Sequence, residues 1–130
     1  MGLFDSIKNA FSSEMPGYWG ILAAPSELEH VIQASNDWPQ LIYKHSHRCA
    51  TCFFSKKQVE EGADTIIEKA DLYFLDVIGS RPVSNAVAEK LNVRHESPQI
   101  ILLNKEEVTW HESHGAIKTE VILTALHGNG

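Results

Sequence analysis

Two cysteines are the residues of this chain whose type and spacing point most directly to chemistry. Cys49 and Cys52 are the only cysteines among the 130 residues, and two residues separate them. Where a strand ends and a helix begins, the free N–H groups and the dipole of the helix stabilise the thiolate of the first cysteine. The pair therefore predicts thiol–disulfide exchange, with Cys49 as the attacking group and Cys52, one turn further on, as a group that can resolve a mixed disulfide.

Four other residues are candidates for holding the substrate. His47 and Arg48 precede Cys49 and can add positive charge beside its sulfur. Ser97 and Pro98 come just before a strand, where a loop returns towards the cysteines. A cis bond between them would expose the backbone of Ser97 for pairing with an extended substrate, whereas a trans proline would simply start the strand. We predict that all four residues contact the substrate.

Metal binding is an alternative use of the same region. His45, His47, Cys49 and Cys52 are ligands of the kind that bind zinc or copper. A structural zinc site, however, normally collects its ligands from two distant segments, and the sequence has no second C-x-x-C pair. The sequence therefore favours redox chemistry and predicts no metal.

The composition indicates where this chemistry takes place. A chain of 130 residues and 14.5 kDa, 43% hydrophobic and 22% charged, can form one globular domain without a metal or disulfide. Eleven Lys and Arg against seventeen Asp and Glu give a net charge of -6, which argues against a nucleic-acid-binding surface. No apolar run approaches the roughly 20 residues that span a membrane. Because the first residues lack the pattern of a secretory signal, we expect a cytoplasmic protein with reduced thiols.

Nine elements of secondary structure are expected to position the cysteines. Apolar runs predict strands at 19–22, 41–43, 72–78, 100–103 and 108–110. Helical spacing and end signals predict helices at about 25–35, 49–62, 79–91 and 117–125, with Ser26 as the N-cap of the first. Residues 104–107 have the right length for a hairpin loop between the last two strands.

The order β-α-β-α-β-α-β-β-α predicts an α/β domain with a mixed central sheet and flanking helices. Strands separated by a helix are expected to run parallel, and the hairpin adds an antiparallel edge. We expect the domain at 18–127, with a segment at 1–17 before it and a tail at 128–130 after it. Leu3, Ile7 and Phe11 are four residues apart, so the first segment can form an amphipathic helix.

Four stretches of the sequence resemble the monothiol bacilliredoxins, the YtxJ-type proteins of the bacillithiol system. They are YKHS at 43–46 leading to Cys49, LDVI at 75–78, RPVSN at 81–85 and VRHESPQ at 93–99. Trp110, Ser113 and His114 extend the resemblance, which covers about residues 19 to 125. The stretches around Lys44 and Ser97 are fairly specific, whereas C-x-x-C alone fits any relative of thioredoxin.

This resemblance implies a thioredoxin-like fold and the removal of bacillithiol from protein mixed disulfides. Cys49 would be the attacking cysteine, and Pro98 the active-site proline, in the cis form. No cofactor would be bound, since a low-molecular-weight thiol acts as co-substrate and thiol-modified proteins are the substrates. The chain departs from the family pattern at Cys52, where serine is common, and at Gly115, where an aromatic residue is common. The first departure allows an intramolecular disulfide.

Two other functions stay open alongside the monothiol one. With both Cys49 and Cys52, the chain can act as a dithiol reductase of protein disulfides. It can also be a non-enzymatic adaptor that uses the fold as a docking surface. In that case Trp19, Trp38 and Trp110 would contribute to the partner site, although large aromatic residues are more often part of the core.

Overall fold

Residues 16–129, the part of the chain that the structure describes, form a five-stranded sheet with helices on both faces in this computed structural model. The predicted order of strands and long helices is confirmed, with one short helix and one 3₁₀ turn in addition. The elements are β1 (Gly20–Ile21), α1 (Pro25–Ala34), β2 (Gln40–His45), α2 (Ala50–Glu61), α3 (Ala63–Ile66), β3 (Asp71–Asp76), α4 (Arg81–Leu91), β4 (Gln99–Asn104), β5 (Glu107–Ser113), the 3₁₀ turn (His114–Ala116) and α5 (Thr119–Asn129). The predicted N-terminal amphipathic helix with Leu3, Ile7 and Phe11 lies outside the described residues.

The strands lie in the order β1-β3-β2-β4-β5. As predicted, β3 pairs parallel with β2 and β1, and β4 forms an antiparallel hairpin with β5. The expectation that every strand after a helix is parallel is wrong for β4, which pairs antiparallel with β2. The cause is the connection 92–98: an extended chain of this length reaches about 23 Å, enough to run back past the 11-residue helix α4, about 17 Å long, before β4 begins.

Alternate residues of the strands build two cores, one on each face of the sheet. In β2, Leu41 and Tyr43 face α2 and α5, whereas Ile42 faces α1 and α4. The burial of both faces explains the nearly continuous apolar runs that predicted the central strands. The first core contains Trp19, Leu41, Tyr43, Val59, Ile66, Ala70, Leu72, Phe74, Ile100, Leu102, Ile117, Ile122, Ala125 and Leu126. The second contains Leu22, Leu28, Val31, Ile42, Tyr73, Leu75, Val83, Val87, Val93, Ile101 and Leu103.

Two helix starts differ from the sequence prediction. The N-cap of α1 is Ala24 and not Ser26, because the Glu27 carboxylate accepts the backbone N–H groups of Ala23 and Ala24 at 2.8 and 2.9 Å. This is the half of a capping box in which the Glu at the third helical position bonds the N-cap N–H, and no side chain of the N-cap residue takes part. The helix predicted from 117 begins at Thr119, so Ile117 lies before α5, where it is buried, and the helix itself buries Ile122, Ala125 and Leu126. The same helix ends at Asn129, so it includes two of the three residues assigned to a tail.

The hairpin between β4 and β5 is tighter than the predicted four-residue loop. Asn104 and Glu107 belong to the strands, which leaves Lys105 and Glu106 as the turn, with φ of 53° and 66°. Two successive residues with positive φ are typical of a type I′ turn, whose twist matches that of the strands. Within residues 16–129, no helix is long and apolar enough to span a membrane.

Candidate active site

Cys49 lies where β2 has ended and α2 begins. It is the N-cap of α2, as predicted, with φ -122° and ψ 120°, and its Sγ accepts the backbone N–H of Cys52 at 3.4 Å. The Cys49 N–H in turn donates to the Ser46 carbonyl at 3.3 Å. The thiol is partly exposed and free, so a substrate sulfur can reach it. A sulfur in this position meets the unsatisfied N–H groups of the first helical turn, which favour a negative charge.

Hydrogen bonds make Cys49 the more acidic thiol of the pair. The pKa of Cys49 is lowered mainly by the thiol of Cys52 and then by the Cys52 backbone N–H, with smaller contributions from Thr51. The predicted positive charges of His47 and Arg48 are not among these main causes. Because the thiolate is the nucleophile in disulfide exchange, this arrangement suits Cys49 for attack.

Cys52 has the opposite environment. Its side chain is fully buried, and burial is the largest cause that raises the pKa of its thiol. Hydrogen bonds from Ser97 and from the Ser46 backbone N–H act against this rise. The Sγ of Cys52 lies 3.5 Å from the Ser97 hydroxyl. The two cysteines therefore differ as predicted. The thiol of Cys49 is accessible and has a lowered pKa, whereas the thiol of Cys52 is buried and has a raised pKa.

The loop before β4 brings Ser97 and Pro98 to the cysteines. The Ser97–Pro98 bond is cis, which confirms this expectation, and Ser97 contacts Cys52 across 45 positions of sequence. The backbone N–H of His114, in the 3₁₀ turn, donates to the Pro98 carbonyl at 3.0 Å. That turn also holds Gly115, where the resemblance expects an aromatic residue, and a Cβ there would meet no atom within 4 Å. A side chain at position 115 would therefore extend into open space.

His47 and Arg48 lie at the rim of the site. The Nε2 of His47 is 4.0 Å from a carboxylate oxygen of Asp76, and both side chains reach solvent. Arg48 is exposed, and its backbone N–H donates to the Ser46 hydroxyl at 3.3 Å. Both side chains are exposed, whereas the Ser97 side chain is partly buried beside Cys52.

Two buried residues of β2, Tyr43 and His45, are hydrogen-bonded to each other, and Tyr43 also bonds the first turn of α2. The Tyr43 hydroxyl donates to the Cys52 carbonyl at 3.0 Å and lies 3.0 Å from the Nδ1 of His45. Since that hydroxyl has one hydrogen, Nδ1 must carry the proton that joins the two rings. Burial, and then His47, lower the pKa of His45 to about 4, so its imidazole is neutral at pH 7. The sequence placed Tyr43 in a strand and in the YKHS stretch of the family resemblance but assigned it no role at the site.

The geometry does not assemble a metal site from the predicted ligands. Among residues 16–129, no three His, Cys, Asp or Glu side chains come close enough together to hold a metal ion. His45 uses Nδ1 to bond Tyr43, and His47 faces Asp76. His111 and His114 have the spacing H-x-x-H, which the sequence reasoning overlooked, and they belong to no such group either.

The three tryptophans do not form a common surface. Trp19 is 1% exposed and packs in the first core, and Trp110 packs against the same core from β5. Trp38 is exposed and lines a cavity of about 530 Å³ with Ser35, Lys69 and other residues, at the end of β2 opposite the cysteines. The surface that the adaptor hypothesis assigned to the tryptophans is therefore absent from the described residues.

The fold and the paired thiols define a thioredoxin-fold protein of thiol–disulfide redox function. Among solved structures, the chain is similar to a thioredoxin-fold protein assigned as an oxidoreductase, with 28% identity, a TM-score of 0.71, and coverage of 81% of this chain and 90% of that one. Fasciola hepatica thioredoxin shares 17% identity with a TM-score of 0.68, covering 85% and 98%. Arabidopsis thaliana thioredoxin O2 in its oxidized state shares 16% with a TM-score of 0.67, covering 88% and 96%; these two similarities concern the fold alone.

The family follows from a match over most of the domain. Residues 21–122 match the model of the monothiol bacilliredoxin BrxC. The chain therefore belongs to the monothiol bacilliredoxin family, as its sequence resemblance predicted. The family is described as monothiol, whereas this chain has a second free cysteine, Cys52, one helical turn after Cys49.

Proposed function

We propose that this protein removes a low-molecular-weight thiol, bacillithiol or an equivalent, from mixed disulfides on other proteins. The Cys49 thiolate attacks the sulfur of the small thiol, which forms a disulfide between them and releases the substrate cysteine as a thiolate that takes up a proton. The reaction requires a reduced Cys49, the state expected in the cytoplasm, where we place the protein. No bound cofactor is needed, because the thiols carry the electrons.

Two routes can regenerate Cys49. In the first, a second molecule of the small thiol attacks the mixed disulfide on Cys49, so that two small thiols leave joined as a disulfide and Cys49 is released reduced. In the second, the Cys52 thiolate attacks Cys49, which releases the small thiol and leaves an intramolecular disulfide that an external dithiol must reduce. The proximity of the two cysteines favours the second route here, since the thiol of Cys52 lies close enough to the Cys49 sulfur to hydrogen-bond to it.

One observation carries the proposal: Cys49 is an accessible thiol at a helix N-cap whose sulfur accepts hydrogen bonds. The family match supports the small thiol as the group that is removed. The cis Ser97–Pro98 segment beside the cysteines supplies the position where we expect substrate backbone to bind.

The test compares wild type, Cys49→Ser and Cys52→Ser on three substrates: a bacillithiol-modified protein, a glutathione-modified protein and a protein with an ordinary disulfide. We expect Cys49→Ser to lose exchange on all three while its circular dichroism and melting temperature stay unchanged, because Cys49 lies outside both cores. We expect Cys52→Ser to act on the bacillithiol substrate when free bacillithiol is supplied.

Each of the other outcomes identifies a different function. Activity that requires both cysteines and prefers the ordinary disulfide would indicate a thioredoxin-like reductase. Activity that survives in Cys49→Ser would refute the proposed nucleophile. A wild-type protein that exchanges with none of the three substrates would favour the adaptor hypothesis.

A further inference from the structure

A fully buried lysine lies in β2, five residues before Cys49. The side chain of Lys44 lies on the same face of the sheet as Ile42, which is the face of the second core, and it is 0% exposed. Its Nζ donates to the Gln99 side-chain carbonyl at 3.0 Å. Burial lowers the pKa of Lys44 to about 8, and the charge of Glu96 acts in the opposite direction. The charge of Lys44 in turn lowers the pKa of His95.

Packing alone does not explain a lysine at this position. A buried ammonium is costly, and a neutral amide compensates for lost water far less than a carboxylate does. Its neighbours in the sheet are Leu75 on β3 and Gln99 on β4, and the Gln99 amide accepts its hydrogen bond. Replacing both members of such a buried polar pair with apolar residues of similar volume is often neutral or stabilising.

The lysine determines which way the Gln99 amide points. An ammonium group only donates hydrogen bonds, so it binds the carbonyl end of the amide and directs the NH₂ end away. That NH₂ group donates to the Arg94 backbone carbonyl at 3.0 Å. The Gln99 side chain thus joins the two ends of the 94–99 loop, which carries Ser97.

We propose that Lys44 is a positioning residue that, through Gln99, holds the 94–99 loop so that the Ser97 hydroxyl stays within reach of Cys52. The His114 N–H on the Pro98 carbonyl fixes the other side of this loop. The inference rests on the second route of the proposed reaction, in which Cys52 must ionise to release the small thiol from Cys49. The Ser97 hydrogen bond favours that ionisation, and Lys44 acts on Cys52 only by keeping Ser97 in place.

The expected effect falls mainly on one of the two thiols. Without the Ser97 hydrogen bond, the thiolate fraction of Cys52 below its pKa is expected to fall about fivefold, the factor for a typical net hydrogen bond. Ser97 is not among the groups that shift the pKa of Cys49, so any change in Cys49 ionisation can arise only through the Cys52 thiol and should be smaller. Release of a small thiol from Cys49 by Cys52 should slow by about the same factor or less.

The experiment uses Lys44→Met, Ser97→Ala and the double variant in the full-length protein. Thiolate absorbance and cysteine-specific alkylation are followed against pH, and resolution is timed from a preformed mixed disulfide on Cys49. Gln40→Met is the matched control, because Gln40 is a buried polar residue of the same strand, at its other end beside Asp71. Each variant is first checked by urea denaturation.

We expect Lys44→Met and Ser97→Ala to show the same loss of Cys52 thiolate, and the double variant to show no more than either alone. If Lys44→Met still lowers Cys52 ionisation in the Ser97→Ala background, the lysine acts through its charge and the proposal is refuted. It is also refuted if Lys44→Met leaves Cys52 unchanged, or if Gln40→Met has the same effect. Because these titrations need no substrate, they stay informative even if the proposed reaction is wrong.

Discussion

Replacing Cys52 separates the two hydrogen bonds that act on the Cys49 sulfur. The largest cause of the lowered Cys49 pKa is the Cys52 thiol, and the second is the Cys52 backbone N–H. Cys52→Ala removes the first and keeps the second, whereas Cys52→Ser replaces the thiol with a hydroxyl that can also donate. We therefore expect the pKa of Cys49 to rise in Cys52→Ala and to rise less in Cys52→Ser.

The size of the effect follows from the exposure of Cys49. A hydrogen bond to a charged group can contribute about 1.5–3 kcal/mol, but water replaces part of it at an accessible sulfur, which leaves about 1 kcal/mol, or about a fivefold lower thiolate fraction below the pKa. A thiolate of higher pKa is also the better nucleophile, with a Brønsted coefficient of about 0.4–0.5. Alkylation of Cys52→Ala should therefore be about two- to threefold slower below the Cys49 pKa and about twofold faster above it.

The assay is the rate of iodoacetamide labelling of Cys49 from pH 5 to 10, read by intact mass on reduced protein. The expected result is that the rate profiles of wild type and Cys52→Ala cross. Profiles that differ by one constant factor at every pH would show a change of access and refute the role of the hydrogen bond. In wild type, equal labelling of Cys49 and Cys52 at acidic pH would contradict the difference between the two thiols.

Two further predictions concern stability. In the folded protein the pKa of His45 is about 4, below its ordinary value of 6.5. The stability that the neutral imidazole contributes to the fold is therefore fully present above pH 6.5 and is lost as the pH falls towards 4. Between pH 7.5 and 4.5, the free energy of unfolding from urea denaturation should fall by about 2.5 kcal/mol more in wild type than in His45→Gln. The variant of an exposed histidine, His127→Gln, serves as control and should show the same fall as wild type. An equal fall in all three proteins would contradict the lowered pKa of His45. Glu106→Gly should stabilise the protein by about 0.5 kcal/mol, because the relief of the positive-φ penalty of about 1–2 kcal/mol exceeds the loss of the exposed hydrogen bond that the Glu106 carboxylate accepts from Asn36. Glu107→Gly, at the start of β5, should destabilise it, and the reverse order in the denaturation midpoints would refute the turn argument.

Local patterns in the sequence were sufficient for the elements and for the difference between the cysteines. The C-x-x-C pair follows a strand and opens a helix, so Cys49 had to lie near free N–H groups and Cys52 one turn inside. The same local reasoning failed at one helix start and at one strand direction. The N-cap of α1 is Ala24, whose N–H bonds Glu27, and not Ser26, and the 92–98 connection carries the chain back past α4 so that β4 runs antiparallel to β2.

The sequence by itself determined the α/β class and the family, and it led to the prediction of Cys49 as the attacking cysteine, because these depend on residue type, spacing and periodicity along the chain. Only the tertiary structure decided which side chains act on the thiols. Ser97 reaches Cys52 across 45 positions, and Lys44 reaches Gln99 across 55. Such contacts depend on strand pairing, register and loop path. The sequence placed a lysine in an apolar strand, but only the pairing of β2 with β4 gave it a partner.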